Sequence, residues 1–245
     1  MNNFRRVVWT RGMFLTPQHF QTQDRYFDQI LQFRFANSLY ANWGVVTLEI
    51  DETALRNGNF VLAACSGVLR DSLAFELNGD EAPAGRPVEE AYSQSKGTLD
   101  VFLAIPEERP RGKNITHIDP KATSPGIAPT RYIAENQKVV DENNTDEEKI
   151  VEVGRQNFRI LFGNESLEGS SAIRIAQVQR PKKDFVLHSE FVPACLDFSV
   201  SDYLTNLVSK QIEVLRNRSA VLAAQRAEKG QGQAAFTTMD VAVYW

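Results

Sequence analysis

The residues of this chain best suited to proton transfer or metal binding are three histidines, His19, His117 and His188, since imidazole titrates near neutrality and ligates metals. His117 stands two positions from Asp119, and His188 two positions from Glu190. On a strand, each doublet would present two ligands from one face. Such doublets also arise by chance, and the histidines are scattered among a helix start, a proline-rich stretch and a strand-like run. No metal site is expected. The carboxylates at Glu89 and Glu90, and at Asp146, Glu147 and Glu148, are adjacent residues in polar segments. Acid–base catalysis needs two carboxyls held in different environments around a substrate, so solvation is the expected explanation. The chain contains no Gly-x-Ser-x-Gly elbow, Walker-type loop, Gly-x-Gly-x-x-Gly turn or His-Glu-x-x-His pair. Catalytic residues and cofactors are therefore not expected. Cys65 and Cys195 each lie inside an apolar segment, where a thiol usually serves as a small hydrophobe.

Composition narrows the partners. The 245 residues are 42% hydrophobic and 24% charged, a globular balance with length for one large β-domain or two smaller ones. A net charge of -4 and a pI near 5.5 leave no basic excess to neutralise a phosphate backbone, so nucleic acid is not an expected partner. No apolar run is long enough to span a bilayer. Arg11 interrupts the residues that would otherwise begin a signal peptide, and the expected location is cytoplasmic.

The elements that must position any functional group fall into three textures. Thr16 and Pro17 supply an N-cap and a pre-set first helical residue, and Phe20, Phe27, Leu31 and Phe35 follow at spacings of seven and four. Such a stripe ordinarily buries itself on its own domain, and the following sheet is its expected cover. From Trp43, short β-branched and aromatic runs succeed one another: 45–50, 60–65, 72–77, 99–105, 131–140, 158–162 and 173–178. Gly, Asn and Asp between them fit an antiparallel sandwich or barrel better than a parallel sheet. Residues 106–129, with five prolines, read as an extended loop, and the acidic run 141–149 as a solvated one. Beyond Pro193, the region Ser199–Asp202 caps a long helix ending near Gly230 and Gly232. Its stripe of Leu204, Val208, Ile212, Leu215 and Leu222, opposite charged positions, wants partners in a bundle or coiled coil. The apolar run Met239–Trp245 reads as the first turns of a second helix, so a piece of a longer protein is expected.

One tract is more specific than any of these. Trp9, Gly12, Met13, Phe14, Leu15, Pro17, Gln18, His19, Phe20, Gln21, Gln23, Asp24 and Arg25 combine a glycine turn, an apolar lead-in and a helix start rich in amides. Phe14 and Leu15 form a hydrophobic lead-in to the helix, and amides that hydrogen-bond a neighbour's backbone are interface chemistry. The candidate partner-binding residues are Trp9, Met13, Phe14, Leu15, Pro17, Gln18, His19 and Phe20. The tract resembles the start of the TssK family of type VI secretion baseplate subunits. Trp43-Gly44, Leu48 with Ile50-Asp51, Leu55 with Gly58, and the run Phe191, Val192, Pro193, Cys195 and Leu196 extend the resemblance along the chain. Two departures stand out: Arg11 where an acidic residue commonly precedes the glycine, and a turn at Leu69, Arg70, Asp71 and Ser72 that lacks the family's usual glycine.

The resemblance implies a mainly β fold: an antiparallel β-sandwich over residues 1–195, similar to the shoulder domain of siphophage receptor-binding proteins, with an N-terminal helix. Residues 196–245 would hold the first helix and the start of the second helix of a helical-bundle middle domain. It further implies a homotrimer that joins the baseplate wedge subunits through this N-terminal part and the inner-membrane complex through a C-terminal region that this chain lacks. The baseplate would dock at the cytoplasmic face of the inner membrane, without direct membrane insertion. The function expected is that of a structural adaptor; a phage-like carbohydrate- or receptor-binding module is the alternative.

Overall fold

The computed structural model describes residues 4–93, 97–117, 129–143 and 147–231. In chain order the helices are α1 (Pro17–Ser38), α2 (Glu52–Arg56) and α3 (Asp202–Gln231). The strands are β1 (Gly44–Ile50), β2 (Asn59–Phe60), β3 (Leu62–Val68), β4 (Ala74–Asn78), β5 (Arg86–Pro87), β6 (Thr98–Pro106), β7 (Ile115–His117), β8 (Tyr132–Val140), β9 (Glu148–Gln156), β10 (Arg159–Phe162), β11 (Ser170–Gln179) and β12 (Val186–Leu187). The chain divides into two compact units, one to Val200 and one from Ser201.

The first unit is mainly β. Its main sheets run β1-β3-β4 and β10-β6-β11-β12, both antiparallel, with β7-β8-β9 and a short β2-β5 pair beside them. Only the β7–β8 pairing among these is parallel. The two main sheets share one apolar core: Leu62, Phe75 and Leu77 from the first meet Leu103, Ile160, Phe162, Ile175 and Val178 from the second. Burying each such side chain contributes roughly 1.5–3 kcal/mol.

Alternation along β11 breaks because Ile175 is an extra residue: Arg174 faces Phe102 while Ala176 faces Val101. This bulge lets Ile173, Ile175, Ala176 and Val178 all reach the core. It also turns Arg174 and Gln177 toward one acceptor, Asp100, at 3.3 and 2.9 Å.

The segment leaving the sheet closes on its beginning. Val45 N–H donates to the Ala194 carbonyl at 2.9 Å and Leu196 N–H to the Val45 carbonyl at 2.8 Å. Gly44, at φ +148°, permits this approach, since a Cβ there would lie 2.9 Å from the Cys195 carbonyl carbon.

Several sequence expectations change. The acidic run is not wholly loop: β9 starts at Glu148 and forms, with β8, a long ribbon that is largely exposed. Inside the proline-rich stretch, β7 pairs with β8, and residues 118–128 lie outside the described residues. The five-residue α2 is nucleated by Asp51, whose Oδ1 accepts from Thr53 and Ala54 N–H at 2.9 Å each. The aromatic stripe of α1 does not bury on the sheet, for no residue of that helix is buried.

The second unit is α3. Ser201 caps it, its Oγ accepting from Leu204 N–H at 3.4 Å. The second helix expected at 239–245 lies outside the described residues. Among the described residues, no helix is long and apolar enough to cross a membrane.

Candidate partner-binding surface

Thr16 and Pro17 start α1 as their types dictate, and His19 completes the cap. Its Nδ1 accepts from Thr16 N–H at 3.2 Å and lies 2.9 Å from Thr16 Oγ1. Histidine thus does what Glu or Gln does in a capping box, satisfying the N-cap amide.

Ahead of the cap, Gly12 at φ +79° reverses the chain, and Met13 N–H bonds the Thr10 carbonyl at 3.3 Å. The left-handed backbone is the reason for glycine here. Residues 4–10 consequently run back along α1 as a strap. Phe4 meets Phe33 edge-on at 5.3 Å between centroids, Arg6 lies 5.9 Å from the Tyr26 ring, and Trp9 lies 6.5 Å from Phe20 and 6.2 Å from His19. The tract packs on itself, yet incompletely. Phe14 is 85% exposed, and Trp9, Leu15 and Phe20 about half exposed, at 50%, 51% and 53%. Met13 and His19 are half-buried, while Pro17 and Gln18 are exposed. Phe27, Leu31, Phe33 and Phe35 add further exposed apolar surface along the helix. Exposed apolar area of this extent makes the tract the candidate for an interaction surface. Phe33 lies off the stripe read from the sequence, and its aromatic type was the only signal for it.

On α3, Val208, Ile212 and Leu215 are exposed, and Leu204 and Leu222 half-buried. The stripe read from the sequence is thus available along that helix.

Catalytic candidates are not gathered. His19 caps α1; His117 on β7 lies with Nδ1 2.9 Å from Glu152 Oε1 on β9; His188 follows β12. Among the described residues no group of three or more metal-ligating side chains is present. Cys65 is buried, and burial pushes its thiol up to about 12; Cys195, half-buried, is also raised, by burial and then by the Asp197 charge. Neither has the depressed pKa of a nucleophile.

Residues 19–245 match the family model described as Bacterial Type VI secretion, EvfL, ImpJ, VasE. The chain belongs to the TssK family. It is 30% identical over 233 residues to the type VI secretion system baseplate component TssK1 of Pseudomonas aeruginosa, covering 94% of this chain and 50% of that protein. The chain therefore spans half the length of the curated TssK it matches. The fold is similar to a chain of the type VI secretion baseplate complex, with TM-score 0.83 and 22% identity over 99% of this chain and 53% of the other. It is also similar to a chain of the TssK-TssF-TssG baseplate subcomplex solved by cryo-electron microscopy, with TM-score 0.79 and 21% identity over 92% and 74%. The turn at residues 69–72 does without glycine because Ser72 itself takes the left-handed conformation, at φ +67°.

Proposed function

We propose that this TssK-family chain is a non-enzymatic adaptor of a type VI secretion baseplate. The strap and first turns of α1 dock it to the wedge subunits, the counterparts of the TssF and TssG found with its structural relative. The observation that carries the reading is the exposed apolar run Trp9, Phe14, Leu15 and Phe20 beside a helix start whose backbone is already capped. A surface with its local hydrogen bonds satisfied and its apolar groups open gains most by burying them against another protein.

The protein works as a homotrimer at the cytoplasmic face of the inner membrane. The stripe Leu204, Val208, Ile212, Leu215 and Leu222 of α3 opens the helical bundle of a middle domain and packs on partner helices there. Linkage to the inner-membrane complex belongs to the C-terminal region of the whole protein.

Mixing the purified chain with the TssF and TssG of the same system tests the docking. Co-elution from a sizing column is the expected result, and separate elution overturns it. Light scattering tests the assembly: a trimer mass is expected, and a concentration-independent monomer counts against it.

A further inference from the structure

Among the described residues, no strand pairs with the outer edge of β4. Within an antiparallel strand, a residue's N–H and C=O point to the same side and alternate along the chain. Leu69 N–H donates to the Leu73 carbonyl at 2.9 Å, so Leu73, Phe75 and Leu77 direct their backbone toward β3. Ala74, Glu76 and Asn78 direct theirs outward, and β4 is the last strand of its sheet. The Ala74 carbonyl is met by Gln156 Nε2 at 3.0 Å. This side-chain bond ties the edge to the β8–β9 ribbon at one end and leaves the groups of Glu76 and Asn78 beyond it.

Beside that edge lies a groove of about 610 Å³. The β8–β9 register puts Glu135 opposite Val153 and Gln137 opposite Val151, on one face of the ribbon. Glu135, Gln137 and Val153 line the groove from that face, and Glu76 and Glu81 line it from the β4 side. Three carboxylates thus meet one guanidinium, Arg155, whose Nε is already bonded to Glu135 at 3.1 Å. The groove offers backbone groups that no described strand pairs, a shallow apolar contact and an excess of negative charge. An extended peptide pairs with such an edge through its main chain and is selected by its side chains.

We propose that this groove binds an extended, lysine- or arginine-bearing segment of a partner protein, which adds as a strand to β4 opposite Glu76 and Asn78. Glu76, Glu81 and Glu135 select the basic side chains. The inference rests on the edge and its charge, and is separate from the docking tract of α1.

The test uses the acetylated, amidated heptapeptide Thr-Lys-Val-Lys-Val-Lys-Thr, titrated into the isotopically labelled chain and followed by amide NMR. Saturable binding at or below about 1 mM is expected, with slowed exchange concentrated at the Glu76 and Asn78 amides. Methylating alternate peptide nitrogens along one edge is expected to weaken binding at least about tenfold, and so is the double substitution Glu76→Lys with Glu135→Lys. Absence of binding, or binding indifferent to both changes, overturns the proposal. Protection of the Glu76 amide that grows with protein concentration in the absence of peptide also overturns it, by assigning the edge to a second copy of the chain.

Discussion

Arg131, only 4% exposed at the head of β8, donates through Nη2 to Asp71 Oδ2 at 2.7 Å and through Nη1 to the Pro106 carbonyl at 3.0 Å. Asp71 sits in the turn between β3 and β4, and its carbonyl accepts from Gln32 Nε2 of α1 at 3.0 Å. One ion pair therefore ties a hairpin turn, the end of β6 and the ribbon together. Removing one partner strands a buried charge, which is the expensive case. Asp71→Ala is expected to lower stability by about 2–3 kcal/mol. Adding Arg131→Met to that variant should cost less than the sum of the single changes, as a double-mutant cycle in urea would show.

Ser72 holds φ +67° in the same turn, where Ser72 N–H bonds the Leu69 carbonyl at 2.9 Å and Asp71 Oδ1 accepts from Leu73 N–H at 3.2 Å. A type I turn followed by a left-handed residue favours glycine at that last position. Ser72→Gly should raise stability by about 0.5–1 kcal/mol, and Ser72→Val should lower it. Denaturant midpoints decide the sign.

Glu165 is bonded by Arg86 at 2.7 and 3.1 Å and by Phe162 N–H at 2.6 Å. Burial pushes its carboxyl up, but the Arg86 bonds, the Phe162 amide and the Arg86 charge together hold it below the ordinary value. A carboxyl depressed in the folded state stabilises above its unfolded pKa, and that contribution disappears as pH falls through the folded value. Glu165→Gln should cost about 1 kcal/mol at pH 7, discounted for partial exposure. Thermal midpoints of the two proteins should draw together as the pH falls below the ordinary carboxylate range and through the lower folded value of Glu165.

Burial at 1% exposure and a pKa near 12 make Cys65 inert in the folded protein. With an aromatic disulfide reagent at pH 8, Cys195 is expected to react slowly and Cys65 only at the rate of unfolding. Comparing the Cys65→Ala and Cys195→Ala variants separates the two phases. Rapid modification of Cys65 in native protein would remove this view of the core.

Where a residue type acts locally, the sequence was readable. Thr16-Pro17 marked the start of α1, and the apolar runs of β6 and β11 marked strands, though not their central place in the sheet. The ribbon strand β9 was not, because both its faces are largely exposed and no alternation is imposed on Glu148–Gln156. The α2 turn is too short for periodicity to show. The α1 stripe misled for a different reason: spacing reveals that a face must be covered, not by what, and its expected cover by the following sheet is not what the structure has. His19 illustrates the same limit at the candidate site, since its role as a cap follows from a local bond that the resemblance did not specify.

Docking through the tip of the N-terminal tract, as proposed, requires its apolar side chains to stand free of the core. Phe14, 85% exposed, and Leu15, 51% exposed, can be changed without opening a cavity. The decisive measurement is the affinity of the chain for the TssF and TssG of its own system, for wild type and for Phe14→Asp with Leu15→Asp. At least about tenfold weaker binding by the variant is expected, with the unfolding midpoint unchanged. Equal binding by the two proteins, or none by the wild type, would contradict it.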